Sequence, residues 1–142
     1  MAFESDERFY RVIRNTNPNA WDKECNRPSS AAFKDSQGCS VDRRKLRTEP
    51  EVLKFIHGVH DKGAVKVNAV VSVCQADCDE KDILTKEDPV INDPELEDNP
   101  FHCLLLRDEE KAELTKGQCK YLASKACINE QNLIEFCSKK SE

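Results

Sequence analysis

An α+β domain, built on a small mixed or antiparallel sheet with two or three helices, is what the order of apolar residues predicts. Val65, Val67, Ala69, Val71 and Val73 recur at every second position, the period of a strand half covered by other structure. Thr48 with Glu51, and Thr115 with Gln118, have the spacing of helix capping boxes, and apolar residues follow each at helical intervals. Neither a Gly-rich phosphate loop nor a steady alternation of strands with crossover helices is present, which sets aside a doubly wound fold. At 142 residues the chain suits a single globular domain over 1–142.

Taken in order, Phe9-Tyr10-Arg11-Val12-Ile13 reads as a first strand, and a polar loop through Asn15, Asn17, Pro18 and Asn19 follows, anchored by Trp21. Ala31 to Asp35 is a short apolar stretch ended by a turn at Ser36-Gln37-Gly38. Ser40-Val41-Asp42 suits either a strand edge or a loop. The helix capped at Thr48 buries Val52, Phe55, Ile56 and Val59, and places His57 and His60 near its end, where positive charge meets the dipole favourably. After the Val65–Val73 strand, residues 77–100 are dense in Asp and Glu. They contain the Asp88-Pro89, Asp93-Pro94 and Asn99-Pro100 steps, which resist regular structure and predict a long, exposed acidic loop. Phe101 to Leu106 is a continuous apolar run, expected as a central strand covered on both faces. The helix capped at Thr115 turns Cys119, Leu122, Ala123 and Ala126 inward, with Lys116, Lys120 and Lys125 outside. Asn129 is expected to begin another helix holding Leu133, Ile134 and Cys137.

Composition narrows the function. Charged residues are 35% and the net charge is −5, which argues against polyanion binding as a bulk property. Phe and Tyr are not interleaved with Lys and Arg as a nucleic-acid stacking surface would require. No apolar run approaches the roughly twenty residues of a membrane span, and the start lacks a cationic, apolar secretion signal. The expected setting is therefore cytoplasmic, away from membranes.

Eight cysteines stand at 25, 39, 74, 78, 103, 119, 127 and 137. In a reducing compartment most are explained as small buried hydrophobes. Cys74-x3-Cys78 and His57-x2-His60 would together supply four zinc ligands, but the strand between them holds the pairs apart. Asp77-x-Asp79 opens like a calcium loop and fails at Lys81 and at the missing glycine. No metal site is expected and no cofactor motif is present: Walker loop, dinucleotide fingerprint, nucleophile elbow and metalloprotease helix are all missing.

Chemistry concentrates between Arg27 and Arg47. Arg27, Arg43 and Arg44 offer planar forks for phosphate or carboxylate, and Ser29, Ser30, Ser40 and Asp42 supply further polar groups around an anion-receptive cleft. The same residues can instead cap turns and form a solvated charge run. His102 enters the late apolar strand just after Asn99-Pro100. Facing a cleft it would serve as a general acid or base; facing inward with Leu104 and Leu106 it would be a hydrogen-bonded core histidine.

Ser30-Ala31-Ala32-Phe33, Ser40-Val41-Asp42 and Pro100-Phe101-His102, in this order, resemble a group of small uncharacterised bacterial proteins with Ser-x-Ala-Phe, Ser-Val-Asp and Pro-x-His segments. No activity is attached to that resemblance. It implies a bacterial or phage-related cytoplasmic setting and draws attention to Ser29, Ser30, Ser40, Asp42 and His102.

Two functions follow as expectations. The first is a binding or interaction module that receives a small anionic ligand in its polar cleft and offers the acidic loop to a protein partner. The alternative is a small hydrolase or transferase acting on a phosphorylated or nucleotide-like substrate, with His102 as acid/base and Arg27 or Arg43 stabilising negative charge. Both require the early Arg/Ser segment to fold against the strand that starts at His102.

Overall fold

A computed structural model describes residues 3–96 and 98–132. The fold is α+β. Its strands are β1 (Arg8–Arg14), β2 (Trp21–Asp22), β3 (Arg27–Pro28), β4 (Cys39–Arg43), β5 (Val67–Cys74), β6 (Leu84–Glu87), β7 (His102–Leu106) and β8 (Cys127–Gln131). The helices among the described residues are α1 (Glu49–His60), α2 (Gln75–Glu80) and α3 (Lys116–Lys125), with short 3-10 turns at Pro18–Ala20 and Ser30–Phe33. Six strands form one sheet in the order β6-β7-β4-β1-β5-β8, antiparallel at every pairing, while β2 and β3 make a separate ribbon.

The sheet has two unlike faces. Phe9, Ile13, Val41, Val71, Val73 and Leu105 point to the larger core, which Phe33, Cys78, Cys119 and Leu122 close from the other side. On the opposite face α1 sets Val52 and Ile56 against Tyr10, Val67 and Val70. Alternation along each strand produces this division, because successive side chains leave a strand on opposite sides. Both longer capped helices start where the capping boxes place them. Thr48 Oγ1 accepts from Glu51 N (3.3 Å) while Glu51 Oε1 accepts from Thr48 N (2.8 Å), and Thr115 and Gln118 repeat the exchange at 3.0 and 2.9 Å.

Several expectations are corrected. β5 is buried on both faces through Val73, not half covered: Val70 meets α1, and Ser72 on the same side accepts from Arg8 Nη1 at 3.2 Å. β7 lies between β4 and the edge strand β6, and burial alternates, with Cys103 and Leu105 inside and His102, Leu104 and Leu106 half-buried. Ser40-Val41-Asp42 belongs to β4, an interior strand. The acidic loop is shorter than the span 77–100. Gln75–Glu80 is helical, its start held by Asp77 Oδ2 accepting from Cys74 N at 3.0 Å, and Leu84–Glu87 pairs with β7. Apart from a short turn at 81–83, irregular chain begins at Asp88 and is bridged once at Val90 and Asn99. Finally, Asn129 stands in β8 instead of a helix, because Cys127 to Gln131 pairs with β5; Leu133, Ile134 and Cys137 lie outside the described residues.

Candidate functional site

α1 covers β1 and β5 and leaves the β4–β7 part of the same sheet face open. Over that part lies a recess of about 790 Å³. Tyr10, Val12 and Arg14 of β1, Ser40 and Asp42 of β4 and His102 of β7 form its floor. Val59 and His60 of α1 wall one side, and Val90, Leu96 and Asn99 of the acidic loop wall the other.

Strand register assembles the floor. Tyr10 pairs with Asp42, and Asp42 pairs with His102, so three polar side chains stand in a row across β1, β4 and β7. Asp42 is only 3% exposed. Its Oδ1 accepts from Asn99 Nδ2 at 2.7 Å. Burial pushes the carboxyl pKa up, against the Asn99 bond and the charges of His102 and Arg47, which act the other way. His102 Nδ1 lies 2.8 Å from the Asp88 carbonyl oxygen and 3.2 Å from Asp88 Oδ2. Because those oxygens accept, Nδ1 carries the proton, and in the neutral ring Nε2 keeps a lone pair.

At the other end, Arg14 reaches the last residue of α1, with Nη2 2.6 Å from His60 Nδ1. Burial, then the positive charges of Arg14 and Arg11, pull the His60 pKa down to about 4. The ring is therefore neutral at pH 7, Nδ1 accepts from Arg14 and Nε2 bears the hydrogen. Arg14 is open to solvent at the mouth, yet enough protein surrounds its guanidinium that desolvation and Arg11 lower its pKa. Among the described residues it has no carboxylate partner.

Of the residues singled out in the sequence, the structure brings Ser40, Asp42 and His102 to this recess and leaves the others elsewhere. Arg27 Nη2 donates to the carbonyls of Ala123 (3.0 Å) and Ala126 (2.9 Å), closing the C-terminus of α3. Ser29 Oγ donates to Asn19 O, and Ser30 opens the 3-10 turn; neither lines the recess. Arg43 is on the reverse face of β4, paired with Glu7 (2.8 Å) and Glu87 (2.6 Å) beside the Phe3 ring. Arg44 bonds the Arg47 carbonyl through Nε at 2.7 Å. The core alternative for His102 gives way to a half-buried ring on the recess floor, since Cys103 and Leu105 take the inward positions.

Sequence reasoning missed Arg14 and Asn99, and weighed His60 only as a metal ligand or a positive charge at the helix end, whereas its lowered pKa keeps it neutral. Arg14 had a visible signal, since alternation puts it on one side with Tyr10 and Val12; only the register reveals that Asp42 shares that side. Among the described residues no group of three or more His, Cys, Asp or Glu side chains is placed to hold a metal ion. Nor is any helix among them long and apolar enough to cross a membrane. Comparison with protein-family models, curated proteins and solved structures finds no match to the chain.

Proposed function

We propose that this protein is a cytoplasmic binding module whose recess receives a small anionic group at Arg14 and His60. One observation carries the reading: Arg14 faces the recess with a neutral imidazole as its partner where a carboxylate would ordinarily neutralise it. Its remaining N–H groups and the His60 Nε2 hydrogen are all donors, and an anionic oxygen is the acceptor they lack. The cations that the sequence suggested for this task, Arg27, Arg43 and Arg44, are bonded to carbonyls and carboxylates elsewhere, so Arg14 takes their place in the proposal. The bacterial setting implied by the sequence resemblance belongs to the same reading, as does a basic protein partner for the exposed acidic loop.

Titration with inorganic phosphate and with acetate, followed by NMR, tests this. Saturable shifts of the Arg14 guanidinium and His60 ring signals are expected, and Arg14→Gln is expected to abolish them. Unmoved signals at both residues up to high millimolar anion would refute the reading.

A second reading rests on the Asp42–His102 pair. With Nδ1 held by Asp88, the other ring nitrogen is left to exchange a proton with a bound phosphorylated or nucleotide-like substrate, the work of a hydrolase or transferase. Turnover of a nitrophenyl phosphoester that disappears in His102→Gln favours it. Absence of turnover at every pH removes it.

A further inference from the structure

We propose that the ligand of the recess is a zwitterion, its anionic end held by Arg14 and His60 and its cationic end by Asp42. The inference rests on the anion-binding reading above and adds the second pole.

Asp42 is the observation that demands a second pole. One oxygen is satisfied by Asn99, and the other takes no hydrogen bond from any described residue, although the side chain is almost wholly buried. That oxygen is not one of the sealed, unsatisfied polar atoms of the described residues, so it is reachable from the recess, where a donor that arrives with the ligand would complete the hydrogen bonding of the carboxylate. The nearby cations act on Asp42 through their charge but donate no hydrogen bond to it. Arg47 spends Nε on the Arg44 carbonyl and Nη2 on the Arg43 carbonyl, with its plane against the Phe101 ring at 3.5 Å. His102 directs Nδ1 to Asp88 instead. Tyr10, the neighbour on β1, has a buried hydroxyl with no hydrogen bond of good geometry among the described residues. A purely anionic ligand would leave Asp42 unpaired and be repelled by it; a charged amine or guanidinium meets it as an ion pair.

The two poles are also separate. Each has its own protein partner, His60 for Arg14 and Asn99 for Asp42, and no ion pair joins them. Tyr10, which pairs with Asp42, is four residues from Arg14 along β1, a strand length of about 13 Å. Between them the lining is mixed: Val12, Val59, Val90 and Leu96 supply apolar contact, and Arg11 and Ser40 add polar groups. That sequence of surfaces suits a molecule with opposite charges at its ends and methylene or ring carbon between.

The test is calorimetric titration of the full chain at pH 7 with unbranched ω-amino acids of increasing length, from glycine through aminobutyrate and aminohexanoate to aminooctanoate. Hexanoate and hexylamine are the single-charge comparisons. One member of the series is expected to bind about tenfold tighter than hexanoate or better, with the gain confined to a narrow range of lengths. Asp42→Asn is expected to shrink that gain to about threefold or less. In the unmodified protein, the Asn99 side-chain amide signals should move with the amino acid and stay still with hexanoate, which decides the matter even if the variant fails to fold. Should hexanoate match every amino acid, the second pole is wrong while the anion site stands. Should hexylamine equal the best amino acid, with phosphate and acetate leaving Arg14 and His60 unmoved, the zwitterion and the anion reading both fall.

Discussion

Two histidines one helical turn apart on α1 respond to pH in opposite senses. Burial alone would lower the His57 pKa, but bonds of 2.6 Å from Nδ1 to Asp61 and from Nε2 to Glu130 outweigh it and raise the value above 6.5. A neutral imidazole has one N–H and cannot donate to both carboxylates, so the clamp requires the imidazolium. Its stabilisation is complete below pH 6.5, the unfolded value, and is lost as pH rises through the higher folded value. His60 is reversed. With a folded pKa of about 4 against 6.5 unfolded, it stabilises fully above 6.5 and loses that contribution as pH falls toward 4, by up to about 3 kcal/mol before screening. Urea unfolding across pH should therefore peak near neutrality. His57→Gln is expected to flatten the alkaline limb and His60→Gln the acid limb; unchanged limbs would show that these pairs form only weakly in solution. Arg27 supplies a further check at this scale. Arg27→Ala should cost about 1–3 kcal/mol, since two carbonyls of α3 lose their donor, and should leave phosphate shifts at Arg14 intact.

The connection from β4 to α1 shows how an element can be misjudged from its letters. Arg43-Arg44-Lys45-Leu46-Arg47 reads as a solvated charge run, yet Arg44 and Arg47 exchange Nε-to-carbonyl bonds at 2.7 and 3.0 Å, and Glu7 accepts from Lys45 N at 2.9 Å. The turn they lock puts Lys45 (φ 50°) and Leu46 (φ 66°) in the left-handed region, with Leu46 fully exposed. Leu46→Gly should raise stability by about 1 kcal/mol, seen as a higher urea midpoint at unchanged slope, because it relieves left-handed strain and surrenders no contact. Elements that announce themselves locally were legible. Both capping boxes, the first strand and the inward face of α3 follow from neighbours a few residues apart. What failed depended on distant pairing. Asn129 entered β8 only because β5 offered an open edge, and Leu84–Glu87 became a strand because β7 lay beside it. Periodicity within a short polar segment carries no information about such partners.

Across the whole molecule, the same sheet makes a sealed core on one face and a recess on the other, and the cysteines divide accordingly. Of the residues the sequence put forward, Ser40, Asp42 and His102 line the recess: His102 stands out as polar within an apolar run, whereas Ser40 and Asp42 came from a polar segment whose place in the sheet depends on pairing with β1 and β7. Arg27 and Arg43 misled because an arginine satisfied by carbonyls or carboxylates looks, in sequence, like one awaiting a ligand. The thiols test the layering directly. Cys39, Cys78, Cys103 and Cys119 are buried, Cys74 is half-buried, and Cys25 and Cys127 are exposed. Burial first, against the opposing charge of Arg11, holds the Cys39 pKa near 11, and desolvation holds Cys103 near 12, so neither forms thiolate at neutral pH while the core is closed. Asp22 beside Cys25 raises that thiol too, although it is open to solvent. In a Cys137→Ser background, a disulfide reagent at pH 8 should modify Cys127 first and Cys25 more slowly, and Cys74 later still. The four core thiols should follow together, at a rate that tracks urea-induced unfolding, because one cooperative core must open to release them. Early labelling of Cys39 or Cys119 in native buffer would mean that the 3-10 turn and α3 lift from the sheet on their own, and the two-faced architecture would have to be redrawn around a mobile layer.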